Sequence, residues 1–234
     1  MTQPVFLITG ASTGIGAATA HHAVQNGYRV VLAARSAEKL ESLVNELGGS
    51  EHALAVPCDV AEWTDQEALV KKTLETFGQL DVVYANAGFT DATDTSHRPS
   101  FLDDKQDVWR SMILTNVYGT ALTLRATLSA LKASRGHLLL TGSVVGRRVV
   151  PGSLYSCTKW AVSAMGEAVR QELVGSGVRV TLIEPGVVDT PFYETEHKGA
   201  LTAEDIAQAV LFAVNQPQQV AVNEILVRAT DEAF

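Results

Sequence analysis

Cysteine is nearly missing from this 234-residue chain, which holds Cys58 and Cys157 and no other. Two thiols so far apart make no disulfide framework and offer no CxxC pair for zinc or redox work. Both suit small buried fillers. Histidine is scarce too: His21, His22, His52, His97, His137 and His197 show no HExxH and no spacing that gathers ligands on one helix face, so no metal is expected. Basic residues are few, with 18 Lys and Arg against 26 Asp and Glu, a formal charge of -8, and isolated pairs at Lys71-Lys72 and Arg147-Arg148. Nucleic-acid recognition starts from clustered cations on phosphate, so no nucleic-acid partner is expected. There is no long apolar run. Met-Thr-Gln-Pro leads straight into Val5-Phe6-Leu7-Ile8, without the basic flank of a signal or the length of a membrane span. A cytoplasmic protein with no membrane partner is expected.

What is present is apolar and ordered. With 46% hydrophobic and 19% charged residues, the composition suits one compact domain over 1–234, without repeats or low-complexity tracts. Short runs rich in β-branched residues read as strands at Val5 to Thr9, Arg29 to Ala34, Ala53 to Pro57, Leu80 to Ala85, His137 to Thr141, Val178 to Ile183 and Ile225 to Val227. Segments of helical period alternate with them, near Gly16 to Asn26, Ala37 to Leu47, Trp63 to Phe77, Asp107 to Lys132, Leu154 to Gly175 and Ala203 to Val214. Gly27 and Gly78 stand where left-handed C-caps are wanted, and Ser36 and Thr202 where N-caps are. Strands apolar on both faces, each followed by a helix, predict a doubly wound parallel α/β sheet of about seven strands. The irregular stretch Phe89 to Asp104 reads as a surface loop near a ligand.

Between the first strand and first helix lies Thr9-Gly10-Ala11-Ser12-Thr13-Gly14-Ile15-Gly16. In a Rossmann-type sheet this is where a dinucleotide binds. Gly10 can turn tightly off the strand, Gly14 lets backbone approach the pyrophosphate, and Gly16 permits close helix packing beneath the phosphate charge. The spacing is GxxxGxG rather than GxGxxG. The same residues also satisfy GxSxG, the serine elbow of an α/β-hydrolase. That rival needs a late acid and histidine, and His197, in the charged run Tyr193-Glu194-Thr195-Glu196-His197-Lys198, is a poor general base.

Farther along stand Asp59-Val60, Asn86-Ala87-Gly88, Asn116, Ser143, Tyr155-Ser156-Cys157-Thr158-Lys159 and Pro185-Gly186. Together with the glycine turn, in this order and at these spacings, they resemble the short-chain dehydrogenase/reductase family over nearly the whole chain. The resemblance implies an oxidoreductase that moves a hydride between a nicotinamide cofactor and a carbonyl compound or secondary alcohol. It implies that Ser12, Thr13 and Ile15 of the turn bind cofactor, that Asp59 and Val60 hold the adenine ring, and that Asn86, Ala87 and Gly88 close the fourth strand against it. Pro185, Gly186, Val188 and Thr190 would pass beside the nicotinamide.

Tyr155 and Lys159, four residues apart on a helical segment, can share one face and one site. A free tyrosine ionises near pH ~10, and a neighbouring ammonium favours its phenolate. Tyr155 would pass a proton to or from the substrate oxygen, with Ser143 as a second hydrogen-bond partner. By the resemblance, Lys159 also binds the nicotinamide ribose and Asn116 holds a water that links the lysine to solvent. A protein that keeps the Rossmann turn but has given up catalysis, an NADPH-sensing regulator, is the alternative.

The second strand ends Ala33-Ala34-Arg35-Ser36, without the carboxylate that NAD-selective folds place there. Arg35 can pair with a 2'-phosphate, so NADP(H) is expected over NAD(H), although Thr13 stands where many NADP-dependent relatives are basic. By family likeness the substrate loops cover about 89–104 and 186–200, and the walls draw on Val144, Val145, Val149, Val150, Val187, Val188, Phe192 and Tyr193, apolar enough for hydrophobic carbonyl compounds. The segment Asn223 to Thr230 faintly resembles members acting on hydroxy acids, with Ala229 in place of a proline. The resemblance also implies that helices around Asp107 to Lys132 and Leu154 to Gly175 pair two copies, making a homodimer or homotetramer.

Overall fold

The computed structural model describes residues 3–90, 99–193 and 197–232. Residues 91–98 and 194–196, and with them His97 and parts of both expected substrate loops, lie outside the described residues. Strands β1 (Val5–Thr9), β2 (Arg29–Ala34), β3 (Ala53–Pro57), β4 (Val82–Ala85), β5 (His137–Thr141), β6 (Arg179–Pro185) and β7 (Glu224–Val227) form one sheet in the order β3-β2-β1-β4-β5-β6-β7. Every pairing is parallel. Parallel neighbours need crossovers. Helices α1 (Gly14–Gln25), α2 (Ala37–Glu46), α3 (Trp63–Phe77), α4 (Gln106–Ile113), α5 (Thr120–Ser134), α6 (Leu154–Glu172) and α7 (Ala203–Val214) stand between the strands. The chain builds outward from β1 in one direction and then, from β4, in the other. Open sheets of this kind leave a crevice at that reversal, above the strand C-termini.

Two cores explain why the strands are apolar throughout. Phe6 and Ile8 of β1 join Ala20, Leu40, Ile206 and Val210 beneath α1, α2 and α7. Their neighbours Val5 and Leu7 point the other way and join Leu69, Leu131, Val162 and Val169 beneath α3, α5 and α6. Each such fully buried side chain contributes roughly 1.5–3 kcal/mol, so neither face of β1 tolerates a polar residue cheaply.

Several boundaries follow from caps. Ser36 Oγ accepts from Lys39 N at 3.4 Å, and Thr202 with Asp205 makes a reciprocal capping box. Gly78 ends α3 at φ 76, the left-handed conformation for which it is suited. The expected helix from Asp107 to Lys132 is not continuous: a π-helical turn at Leu114–Gly119 separates α4 from α5. Within it Gly119 packs so close to Val60 that a Cβ would approach Cγ2 to 2.7 Å, and Asn116 is turned inward. Such insertions recur at functional sites. The two cysteines also part company. Cys58 is buried, but Cys157 is exposed, because two residues from both Tyr155 and Lys159 it points to the opposite side of α6. Among the described residues no helix is long and apolar enough to cross a membrane, and no group of His, Cys, Asp or Glu could hold a metal ion.

Candidate active site

A cleft of about 610 Å3 lies over the C-terminal ends of the strands. Its floor is built first by backbone. Gly10 and Gly14 take φ 64 and 55, values that suit residues without a Cβ. A side chain at Gly10 would meet Ala87 backbone at 2.9 Å, and one at Gly16 would overlap the Gly10 carbonyl, so α1 starts directly on the turn. Gly16 itself is absent from the cleft lining, as its packing role requires.

Asn86 locks three strand ends together. Its Nδ2 donates to Thr9 O at 3.0 Å, its Oδ1 accepts from Thr141 Oγ1 at 3.0 Å, and its backbone N donates to Thr9 Oγ1 at 3.0 Å. The same Thr9 hydroxyl accepts from Ala87 N at 3.1 Å. Ala87 and Gly88 are thereby held against the turn, lining the cleft with Ser12, Thr13, Ile15, Asp59 and Val60. Asp59 also serves its own turn, with Oδ1 accepting from Ala61 N at 3.0 Å.

One end of the cleft is cationic and open. Arg35, Ser36 and Lys39 line it, both cations are exposed, and neither is paired with a carboxylate among the described residues. Sequence reading missed Lys39, whose place one turn after Arg35 at the start of α2 was the available signal.

The other end is dry. Ser143, Tyr155 and Lys159 converge there, with Ser143 at 8% and Lys159 at 4% exposure. Ser153 Oγ caps α6 by accepting from Ser156 N at 3.1 Å, which sets the first turn on which Tyr155 sits. Lys159 Nζ donates to Thr141 O at 2.8 Å and lies 5.6 Å from the Tyr155 ring centroid. Burial lowers its ammonium to about 8. Burial also pushes the Tyr155 phenol well above the ordinary tyrosine range, Tyr193 adds to that rise, and the Ser143 hydrogen bond opposes it. In the protein alone, burial of Tyr155 outweighs the lowering expected from oxidised nicotinamide acting together with Lys159. Its ammonium is engaged by a carbonyl, and desolvation dominates at the phenol.

Asn116 stands just behind this end. Its Oδ1 accepts from Phe89 N at 2.7 Å, and its Nδ2 donates to Phe89 O at 2.8 Å and Thr158 Oγ1 at 3.1 Å. The amide thus fixes Phe89, just after Gly88. Pro185, Gly186, Val188, Thr190, Phe192 and Tyr193 complete the lining. The expected valine walls are not all there. Val145 is taken up with Ser143 and Ser156, Val187 N donates to Glu232, and Val149 is 71% exposed; with Val144 and Val150 they are missing from the lining. Of the expected walls, Val188, Phe192 and Tyr193 line the cleft, with the Phe192 ring 6.1 Å from Tyr155 and 5.3 Å from Tyr193.

Two further features decide what the cleft can do. Among the described residues no histidine lines it, so none of them gives Ser12 the base that the serine-elbow reading needs. A clamp unseen in the sequence holds the segment after Ser143: Arg147 donates to buried Glu184 at 2.6 Å and pairs with Glu224 at 2.6 Å, so it ties the β5 loop to β6 and β7. Its partners are too remote in sequence for a local pattern to reveal.

Residues 4–200 match the family described as short chain dehydrogenase. The chain belongs to the short-chain dehydrogenase family. An uncharacterized oxidoreductase of Staphylococcus aureus strain MW2 is 39% identical over 97% of this chain and 98% of its own. Among solved structures, an alcohol dehydrogenase from the archaeon Thermococcus sibiricus, complexed with 5-hydroxy-NADP, superposes with a TM-score of 0.87 at 33% identity, covering 97% of each chain. A 3-ketoacyl-(acyl-carrier-protein) reductase from Brucella melitensis, complexed with NADH, has a TM-score of 0.87 at 25% identity and 98% coverage of both. This short-chain dehydrogenase therefore shares its whole fold with oxidoreductases that bind nicotinamide dinucleotides.

Proposed function

We propose that this short-chain dehydrogenase transfers a hydride between NADP(H) and a carbonyl compound or secondary alcohol, with Tyr155 as general acid and base. The convergence of Ser143, Tyr155 and Lys159 at one end of a cleft floored by Gly10 and Gly14 carries the reading. The residues present fit the cofactor: glycines without side chains where a pyrophosphate would lie on the α1 N-terminus, and two unpaired cations where an adenosine 2'-phosphate would lie. When bound, the nicotinamide supplies or takes up the hydride.

The chain's own groups do the rest. A Tyr155 held neutral by burial is the form that donates a proton to a carbonyl oxygen as it gains charge, and Ser143 adds a hydrogen bond to that oxygen. In the reverse direction Tyr155 must lose its proton, and Lys159 supplies the positive charge that favours this. Asn116 holds Phe89 and the adjoining Gly88 in place beside Lys159. NADP(H) over NAD(H) is supported by Arg35 and Lys39, and by the absence of an acidic residue at the end of β2.

The NADP-bound and NADH-bound relatives are consistent with a nicotinamide cofactor and leave that preference to be measured. Exposed Ile113, Tyr118 and Trp160, at 44%, 48% and 45%, support pairing of two copies across the α4 to α6 region. The test combines a fluorescence titration with NADPH and a turnover assay on a carbonyl panel. Binding with turnover that vanishes in Tyr155→Phe supports the reading. Binding without turnover on any substrate favours the sensor instead.

A further inference from the structure

Three consecutive residues of β6 each hold one point of the segment that carries Ser143. Ile183 O accepts from Gly142 N at 2.7 Å, Glu184 Oε1 accepts from Arg147 Nε at 2.6 Å, and Pro185 O accepts from Ser143 Oγ at 3.4 Å. Between Gly142 and Arg147 the chain makes one tight turn at Val144–Gly146. Gly146 N donates to Ser143 O at 2.8 Å and Arg147 N to Val144 O at 3.1 Å, while Val145 N donates to Ser143 Oγ at 3.3 Å. Ser143 therefore lies on a short turn that is pinned to β6 at both ends.

Glu184 meets both of those ends. A Cβ at Gly142 would stand 3.1 Å from Glu184 Cγ, so the stem of the side chain packs against the backbone just before Ser143. Its carboxylate, 1% exposed, takes the Arg147 guanidinium from the loop just after Ser143, and Ser163 Oγ stands at 3.5 Å. Arg147 continues to Glu224 of β7 at 2.6 Å. A buried carboxylate needs such a partner, and a planar guanidinium shared between two carboxylates fixes orientation as well as distance. On the remaining side Gly146 lies so close to α6 that a Cβ would stand 3.0 Å from Lys159 O. The turn that carries Ser143 is thus wedged between β6 and the helical turn that carries Lys159.

We propose that Arg147 and Glu184 are positioning residues that hold the Ser143 hydroxyl in place beside Tyr155, so that the pair serves turnover and not stability alone. The proposal rests on Ser143 being the second hydrogen-bond partner of the substrate oxygen. Neither Arg147 nor Glu184 lines the cleft, so their effect on the reaction passes through Ser143. Reacting groups tolerate little displacement: a shift of about 1 Å costs up to roughly 10²-fold in rate.

The test follows NADPH oxidation with 2,3-butanedione, cyclohexanone or acetophenone, whichever the wild type turns over fastest. Arg147→Met should lower kcat by about tenfold to a hundredfold while NADPH affinity changes by less than about threefold. That variant strands a buried carboxylate, so a second one carries Arg147→Met together with Glu184→Met, which removes both charges and keeps the contact with Gly142. Its denaturation midpoint should return close to the wild-type value while kcat stays low. Recovery of kcat along with the midpoint overturns the proposal, because the pair would then serve stability alone. Added to Ser143→Ala, the same double substitution should cost no further activity. A further tenfold loss there overturns the proposal and leaves Ser143 its role, whereas a Ser143→Ala protein as active as the wild type strikes Ser143 from the reaction first. Amide hydrogen exchange of residues 143–147 needs no turnover: it should quicken about tenfold in the double Met variant, and an unchanged rate overturns the proposal.

Discussion

Two groups buried at opposite ends of β5 carry the same perturbation and differ in everything else. His137, at the N-terminal end, is 1% exposed, and its burial drives its pKa down to about 3. Lys159, over the C-terminal end, is 4% exposed, and burial drives its pKa down to about 8. His137 Nε2 meets Thr181 Oγ1 at 2.7 Å, beside a hollow of about 150 Å3. Lys159 adjoins Tyr155 under a cleft of about 610 Å3. Desolvation alone therefore does not mark a site. A perturbed group becomes a candidate for chemistry when a proton partner and room for a ligand stand next to it.

The largest effect should fall on that proton partner. Replacing Tyr155 with Phe keeps the ring against Phe192 and removes the acid, so kcat should fall by roughly 10²–10⁴-fold. NADPH affinity, read by fluorescence titration, should change by less than about threefold, below the cost of one lost hydrogen bond. Retention of most of the wild-type kcat would take Tyr155 out of the chemistry and collapse the contrast.

His137 should show its perturbation in stability. Its folded pKa of about 3 lies below the usual 6.5, so the unfolded chain binds the extra proton. Stability contributed by the neutral ring is complete above the unfolded value and is lost as pH falls through the window toward the folded one, at up to roughly 1.4 kcal/mol per pH unit. Denaturant titrations between neutral pH and pH ~4 should show this slope in the wild type and a shallower one in His137→Gln. Equal slopes would mean that His137 is not the titrating group.

Lys159 should behave the opposite way at neutral pH. Its folded pKa of about 8 lies below the usual 10.5, so the buried ammonium opposes folding at every pH below about 8, and that cost fades as pH rises toward the unfolded value. Lys159→Met should then lose turnover yet gain roughly 1–3 kcal/mol of stability at neutral pH, with the gain shrinking in alkali. A destabilised Met variant would show that the Thr141 contact outweighs the desolvation.

Sequence reading reached the cleft end far better than the sealed end, for a physical reason. The glycine turn, Asn86-Ala87-Gly88 and Tyr155-x3-Lys159 are local patterns, because backbone geometry and one helix face set them. Strand and helix order was legible in the same way, since two apolar cores leave the strands apolar on both sides. The π turn around Asn116 was not, and neither was the close approach of Gly119 to Val60 across the fold, which no local pattern reveals. Nor was the Arg147–Glu184 clamp, made by residues 37 apart, or the return of Glu232 to Gly186. Of the valines only Val188 lines the cleft, because β-branched residues in loops look alike whether they face a ligand or their own backbone.

Arg35 gives the smallest effect and a third kind of cation, exposed and facing the cleft beside exposed Lys39. Here water screens the charge, so a single substitution removes part of a shared interaction rather than an obligatory one. Arg35→Ala should lower the ratio of kcat/KM for NADPH over NADH by about tenfold, and adding Lys39→Ala should lower it further, by less than the product of the two single effects. The wild-type preference should also weaken as salt rises from low to physiological strength, whereas the Tyr155→Phe defect should not respond. An unchanged cofactor ratio in the double variant would assign the choice of dinucleotide to groups other than these two cations, and a salt-insensitive ratio would mean that the 2'-phosphate is recognised in a pocket drier than the exposed end of this cleft.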